Sequence, residues 1–375
     1  MPKSILFVHQ GYELYGSDRT LVQSVQAAAT RWPHSRITVL LPSDGVLRSV
    51  LQSVVDDVRI VDLAILRKSN LKSMKFRDAA GLLKKIFGAR RMMQTYDITY
   101  VNTAVVMDYI LAAGFVSRPR MVHVHEIPSG LAAVFFSTIL ALSRSFVLFN
   151  SHATRRSFWL PPWQQNSVVW NGVAAPAETG REPAHAKLNL LLIGRFNSWK
   201  GQAILLRAIA QLSADVRDRV SARLVGSVFG KQDHFADELV RMIEDEGLSG
   251  VVEILPFTTN PSHHYAWSDV VVVPSTRPEP FGLVAVEAMA AARSVIAASH
   301  GGITEIVVNG VTGTFVAPGS ASSLAAAIMA YVKEPARAAA EGIAGRERFR
   351  EQFEESRYRL KITDIISKLC GPESA

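Results

Sequence analysis

The sequence predicts an α/β chain built from two doubly wound, parallel-sheet domains. Three observations carry that prediction. Short Val/Ile/Leu runs alternate with helical stretches, the pattern restarts after an Ala/Pro/Gly-rich break, and 375 residues are enough for two domains of ~150. A 48% hydrophobic and 20% charged composition excludes collagen, coiled coil and global disorder.

In the first half the apolar runs are Ile5–Val8, Ile37–Leu41, Val58–Val61, Ile98–Val101, Met121–His125 and Phe146–Phe149. Runs without polar alternation suit strands covered on both faces. The opening run is too short for a leader and reads as a first strand. Leu131 to Phe149 is the only stretch approaching a membrane span, but Arg144 interrupts it, so a buried helix followed by a strand is expected. The break, 173–187, reads as a linker between domains at 1–172 and 188–350. In the second half the runs are Leu188–Ile193, Ala222–Val225, Val251–Leu255, Val270–Val273, Ser294–Ala297 and Phe315–Val316. Glu347 to Leu369 is helical by pattern, and 351–375 is expected to pack back towards the first domain.

Charge is concentrated. Of 41 Lys and Arg against 33 Asp and Glu, the whole excess of +8 falls between Arg67 and Arg91. That segment holds Arg67, Lys68, Lys72, Lys75, Arg77, Lys84, Lys85, Arg90 and Arg91, with Asp78 as its only acid. Within it, Leu82, Leu83, Ile86 and Phe87 fall near one face of a helix. An amphipathic basic helix suits an anionic membrane surface or acidic acceptor, and equally a solvated helix seated on its domain. No nucleic-acid motif accompanies the charge, so no nucleic-acid partner is expected. The single cysteine, Cys370, forms no disulfide within the chain and points to a reducing, cytoplasmic compartment.

The most informative stretch is Val270 to Ala291, where a buried strand ends at Pro274, a proline-rich loop follows, and a helix starts near Phe281-Gly282. Free N–H groups at that start favour an anion. Glu279 before the helix and Glu287 within it can each accept two hydrogen bonds from a vicinal diol. After Leu188–Ile193, Gly194-Arg195 and Lys200-Gly201 offer two cations that could hold a diphosphate without a metal. Gly301-Gly302 allows close backbone approach. His123 and His125 sit at the end of a strand, but no third metal ligand accompanies them, and no metal or other cofactor is expected.

These residues, with Pro274-Ser275, Glu279-Pro-Phe-Gly, Glu287-Ala-Met-Ala, Glu305, Asn309-Gly310 and Thr312-Gly313, resemble the family-4 retaining glycosyltransferases of the GT-B fold. The resemblance covers nearly all of the second half. It implies two Rossmann-like domains facing a central cleft and a nucleoside-diphosphate sugar as donor. It further implies that Arg195 and Lys200 contact phosphate, Glu279 the donor sugar and Glu287 the ribose. Gly194 and the backbone of Phe281, Gly282 and Leu283 would complete the sugar and phosphate site. Val225-Gly226 and Phe257-Thr258 fall where such enzymes hold the base, with Pro256 replacing the commoner glycine. In the first half Gly16 matches the second glycine of a Gly-Gly loop. Tyr15 stands in place of the first, and Asp18 where Glu is common. His125, followed by Glu126, matches the histidine that faces the reacting sugar, and is favoured over His123. Asn150-Ser151 and Asn171-Gly172-Val173 also match.

The expected activity is retaining, metal-independent transfer to an acceptor hydroxyl in polysaccharide, lipopolysaccharide or glycolipid assembly. The acceptor is a glycan or lipid-linked, with Lys84, Lys85, Arg90 and Arg91 on the acceptor or membrane side. The enzyme would be cytoplasmic and peripheral on the inner face of the membrane. Two alternatives are a nucleotide-sugar epimerase of the same architecture and a catalytically silent, membrane-associated partner subunit.

Overall fold

A computed structural model describes residues 1–66, 77–176, 186–228 and 234–371. It divides into two units, Met1–Gly172 with Glu355–Ala375, and Val173–Glu354. Residues 67–76 of the basic segment and 177–185 of the expected linker lie outside the described residues.

The first unit opens with β1 (Ser4–His9), α1 (Gly16–Arg31), β2 (Arg36–Leu41), α2 (Val46–Gln52) and β3 (Asp57–Ile60). It continues through α3 (Arg77–Gln94), β4 (Ile98–Asn102), α4 (Met107–Ala113), β5 (Arg120–Val124), α5 (Leu131–Ser143), β6 (Phe146–Phe149), α6 (His152–Arg156) and β7 (Asn166–Val168). The seven strands pair in the order β3-β2-β1-β4-β5-β6-β7, all parallel. Successive side chains leave opposite faces of the sheet, so Leu6 and Val8 enter a core with Met93, Ile110 and Leu140. Ile5 and Phe7 enter another, with Leu21, Val25 and Leu51. β7 was not visible in sequence, because Asn166-Ser-Val carries no apolar run.

Two expectations need correction here. Leu131–Ser143 is a helix followed by a strand, but the helix is not buried. Ser137, Ile139, Leu140 and Ser143 are buried and Phe136 packs against the core beside them, while Leu131 is 89% exposed. Similarly, the four apolar residues of α3 do not share a buried face. Ile86, Ala89 and Met93 turn inward, whereas Leu83 and Phe87 are exposed. The i, i+3, i+7 set reaches the core while α3 packs on α4, which leaves the other two outside.

The second unit runs β8 (Leu188–Ile193), α7 (Gln202–Ala210), α8 (Ala214–Arg217), β9 (Val220–Val225), α9 (His234–Asp245), β10 (Val252–Leu255) and α10 (Ser262–Trp267). Then come β11 (Val270–Val273), α11 (Leu283–Ala290), β12 (Ser294–Ala298), α12 (Ile303–Ile306), β13 (Gly313–Val316), α13 (Ala321–Lys333) and α14 (Pro335–Gln352). Its strands are also all parallel, ordered β10-β9-β8-β11-β12-β13. Ser320 caps α13 by accepting from Ser323 N–H at 3.1 Å, and Pro335 occupies the first turn of α14, where its missing N–H costs nothing. Buried Glu341 is satisfied by Arg337, Ser294 and Tyr331, which ties α14 to β12 and α13.

The pattern read as one helix from Glu347 to Leu369 is two. α14 stops at Gln352, Phe353 turns into the core, and α15 (Glu355–Cys370) joins the first unit. Tyr358, Ile362 and Ile366 recur every fourth residue and fill the α1 side of that core. Ser24 Oγ on α1 lies 2.7 Å from Tyr358 OH and 3.2 Å from Tyr100 OH on β4. Ile362→Ala should therefore lower stability by about 2–5 kcal/mol in urea unfolding. A loss under about 1 kcal/mol would contradict an integral α15.

Candidate active site

In both sheets the chain reverses its direction of growth beside the first strand, between β1 and β4 and between β8 and β11. Side chains beyond the carboxyl ends of those strands border a crevice suited to ligands.

In the second unit three loops meet there. After β8, Asn197 Oδ1 accepts from the N–H groups of Trp199 (3.0 Å) and Lys200 (2.9 Å), which folds the loop back. Gly201 follows at φ +85°, and a Cβ on it would stand 2.2 Å from Pro274 O, so only glycine lets this loop touch the end of β11. Thr276 N–H donates to Trp199 O at 2.8 Å. The third loop joins through Gly302 N–H, which donates to Glu279 O at 2.7 Å. At the centre Lys200 Nζ donates to Glu279 Oε1 at 2.7 Å, and Ser275 Oγ donates to the same oxygen at 2.6 Å. Glu279 is 6% exposed, so its carboxylate depends on these partners. His300 Nε2 donates to Ser275 O at 2.8 Å.

Sequence reasoning assigned Lys200 to phosphate and Glu279 to sugar as separate readers; in the structure they are one ion pair. Gly194 and half-buried Arg195 share the Lys200 loop, and Gln202 Nε2 donates to Arg195 O at 2.9 Å. Phe281 is buried with its ring against Phe353, Gly282 at φ +112° precedes α11, and Leu283 begins it. One turn on, Glu287 Oε2 accepts from Tyr265 OH at 2.6 Å, a partner the sequence did not reveal. Val225 and Gly226 are buried at the end of β9, while beyond β10 Phe257 is exposed and Thr258 bonds only locally, to Asn260.

In the first unit His125 lies just past β5, and a directed chain of hydrogen bonds leads from it. His125 Nε2–H donates to Asn102 Oδ1 (2.9 Å), Asn102 Nδ2 to His9 Nδ1 (2.9 Å), and His9 Nε2–H to Asp18 Oδ1 (2.7 Å). The amide of Asn102 fixes both tautomers, because its oxygen only accepts and its nitrogen only donates. Asp18 Oδ2 also accepts from Tyr15 N–H at 2.8 Å, beside Gly16 at the start of α1. His123, by contrast, is fully buried and shares a hydrogen bond with Tyr100 OH through Nδ1 at 2.6 Å. It belongs to the core. His9 and Asn102 were missed, although each is a polar residue closing an apolar strand beside the reversal point.

Burial, reinforced by neighbouring His9 and opposed by Asp18, pushes His125 down to about 3. Burial also holds His123 well below its ordinary range. Burial raises Glu126, against backbone N–H donation from His125 and Ala104. Of the basic helix residues, Lys85 pairs with Asp62 at 2.7 Å and Arg90 Nε donates to Phe115 O at 3.0 Å, while Lys84 and Arg91 are exposed. Asn150 Nδ2 stands 3.5 Å from His125 Nδ1, and Ser151 caps α6.

Two predictions follow from this geometry. Lys200→Met leaves a buried carboxylate short of its cation and should cost ~1–3 kcal/mol of stability, most of it recovered in Lys200→Met/Glu279→Gln. Equal loss in single and double variants, by denaturant unfolding, would contradict the coupling. The two histidines refuse protons that the unfolded chain accepts. For His125 this contribution to stability is complete above pH 6.5 and is lost as pH falls towards about 3, with a slope of up to ~1.4 kcal/mol per pH unit, and buried His123 acts in the same direction. Glu126 titrates in the opposite sense, so the comparison is with His125→Asn. That variant should lose less stability between pH 7 and 5 than the wild type, and an identical pH profile would contradict the assignment.

Residues 181–350 match the family model for glycosyl transferases group 1. D-inositol 3-phosphate glycosyltransferase 1 of Catenulispora acidiphila is 37% identical over 169 residues, which are 42% of this chain and 40% of that protein. The lipopolysaccharide core biosynthesis mannosyltransferase LpcC of Rhizobium leguminosarum bv. viciae is 30% identical over 59% of each chain. The chain thus spans about two fifths to three fifths of the length of these relatives. Among solved structures, Anabaena Alr3699/HepE in complex with UDP and glucose superposes with a TM-score of 0.80 at 25% identity, covering 98% of this chain and 99% of that one. The second unit is a glycosyl transferases group 1 domain, in a chain of GT-B fold.

Proposed function

We propose that this protein is a retaining glycosyltransferase that moves a sugar from a nucleoside-diphosphate sugar to an acceptor hydroxyl. The observation that carries the reading is the Lys200–Glu279 pair at the reversal point of the second sheet, framed by close-packed backbone from three loops. Glu279 holds Nζ in place through one of its three N–H groups, and the other two can serve phosphate oxygens. Arg195 and the N-terminus of α11 add positive potential for the departing diphosphate. The Glu287 carboxylate, oriented by Tyr265, can take a ribose diol. The same residues would bind the donor without a metal ion.

The reaction breaks the bond from the anomeric carbon to the diphosphate oxygen and forms one to the acceptor oxygen on the same face. The acceptor proton passes to the leaving diphosphate. The reading gives Gly16 to the donor-binding set and has His125 face the reacting sugar, where a neutral His125 can orient a sugar hydroxyl through Nδ1 without adding charge. The complex of HepE with UDP and glucose makes UDP the first nucleotide to test. The reading places the acceptor among glycans or lipid-linked glycans, and the enzyme in polysaccharide, lipopolysaccharide or glycolipid assembly. The lipopolysaccharide core mannosyltransferase among its relatives supports that setting. No described helix is long and apolar enough to cross a membrane, and the reading takes residues 67–91 as contacting an anionic inner surface.

At ~100 times its dissociation constant UDP should stabilise the protein by ~2.7 kcal/mol in thermal unfolding without added metal. Lys200→Ala should raise the transfer barrier by ~2–4 kcal/mol. Loss of less than about tenfold in turnover would contradict the charge-clamp role. Donor turnover to an epimer without acceptor would favour the isomerase, and no turnover at all the silent subunit.

A further inference from the structure

We infer that the outward face of α5, together with the Trp159–Trp163 turn, is a membrane-insertion surface for anionic lipid. α5 contains no charged residue, yet it lies on the outside of the first unit. Leu131, Val134, Phe135 and Leu142 recur along one stripe of the helix, and all four are exposed. The turn beside it is fixed to the helix. Trp159 N–H donates to Ser137 Oγ at 3.1 Å, and Gln164 Nε2 donates to Leu140 O at 2.7 Å. Trp159 and Trp163 are 70% and 62% exposed. Leu83 and Phe87 on α3 and Phe115 after α4 extend the surface, linked by the bond from Arg90 to Phe115 O. Five of the six exposed Phe and Trp side chains among the described residues lie on α3, on α5 or just after α4 and α6, and α3 packs on α4 and α4 on α5. Isolated apolar side chains on a surface are ordinary, but a concentration of this kind marks a binding face.

Charge selects the occupant. Residues 127–177 contain no Asp or Glu, while Arg144, Arg155 and Arg156 lie among them. Arg144 ends α5, and Arg156 is exposed next to the tryptophan turn. A two-fold interface with a second copy would set the same arginines against themselves, with no carboxylate from this segment to pair with. Anionic headgroups satisfy them directly, with Leu and Phe below the headgroup level and tryptophan at it. The inference rests on the proposed function only in supplying the reason for membrane contact, a lipid-linked acceptor.

The test is sedimentation of the full chain with vesicles of phosphatidylcholine alone and of phosphatidylcholine with phosphatidylglycerol. The wild type should bind the mixed vesicles and bind the neutral ones weakly. Phe135→Ser/Trp163→Ser should lose roughly tenfold or more in partitioning, and Arg144→Glu/Arg156→Glu should lose binding in a salt-dependent way. The substituted side chains are exposed, so thermal unfolding and the UDP shift should match the wild type. No vesicle binding, or binding unchanged by the double apolar substitution, would overturn the inference. So would light scattering that shows a wild-type dimer dissociated by Phe135→Ser/Trp163→Ser. If UDP stabilises the protein but vesicles do not bind, this inference alone fails. If vesicles bind as described but UDP has no effect, the donor reading fails.

Discussion

A carboxylate removed from water must keep a cation or hydrogen-bond donors beside it, and the organisation of the second unit follows from that constraint at Glu279. Its oxygen takes Lys200 from the loop after β8 and Ser275 from the loop after β11, and its backbone carbonyl takes Gly302 from the loop after β12. Three strand ends are thereby locked around one buried group. The glycines follow from the same demand, since Gly201 and Gly301 stand where any Cβ would strike the backbone of Pro274 or Glu279. Preorganisation of this kind places positive charge before a ligand arrives, which is where electrostatic stabilisation of a leaving diphosphate is most effective.

The first unit solves a different problem with the same topology. At its reversal point the polar groups form a directed chain from His125 through Asn102 and His9 to Asp18. The chain ends on a carboxylate, yet burial keeps His125 uncharged. One unit thus presents a cation held by an anion, and the other a neutral imidazole of fixed tautomer. In the proposed reaction the first would support charge separation in a diphosphate, and the second the orientation of hydroxyl groups.

Strands were the most legible feature of the sequence. Runs such as Ile5–Val8 and Val270–Val273 have no competing explanation once both sheet faces are covered. Spacing and loop chemistry also exposed Lys200, Glu279 and Glu287, since each sits in a dense local motif. Other parts were hidden for identifiable reasons. His9 and Asn102 come together only after β1 and β4 pair, so no local pattern joins them. The Tyr265–Glu287 contact spans two crossovers. The exposure of α5 is not legible in sequence, because an uncharged apolar helix has the same composition in a core and on an exposed face. The division between α14 and α15 carries neither glycine nor proline; it is set by Phe353 turning into the core.

Hydrogen–deuterium exchange of the full chain with and without saturating UDP tests the central claim most directly, because it reads where the nucleotide binds rather than only whether it does. The account predicts slowed exchange at the backbone amides of residues 194–201 and 281–287, with further protection near Gly226. Unchanged exchange at both loops, or protection confined to residues outside the second unit, would contradict it.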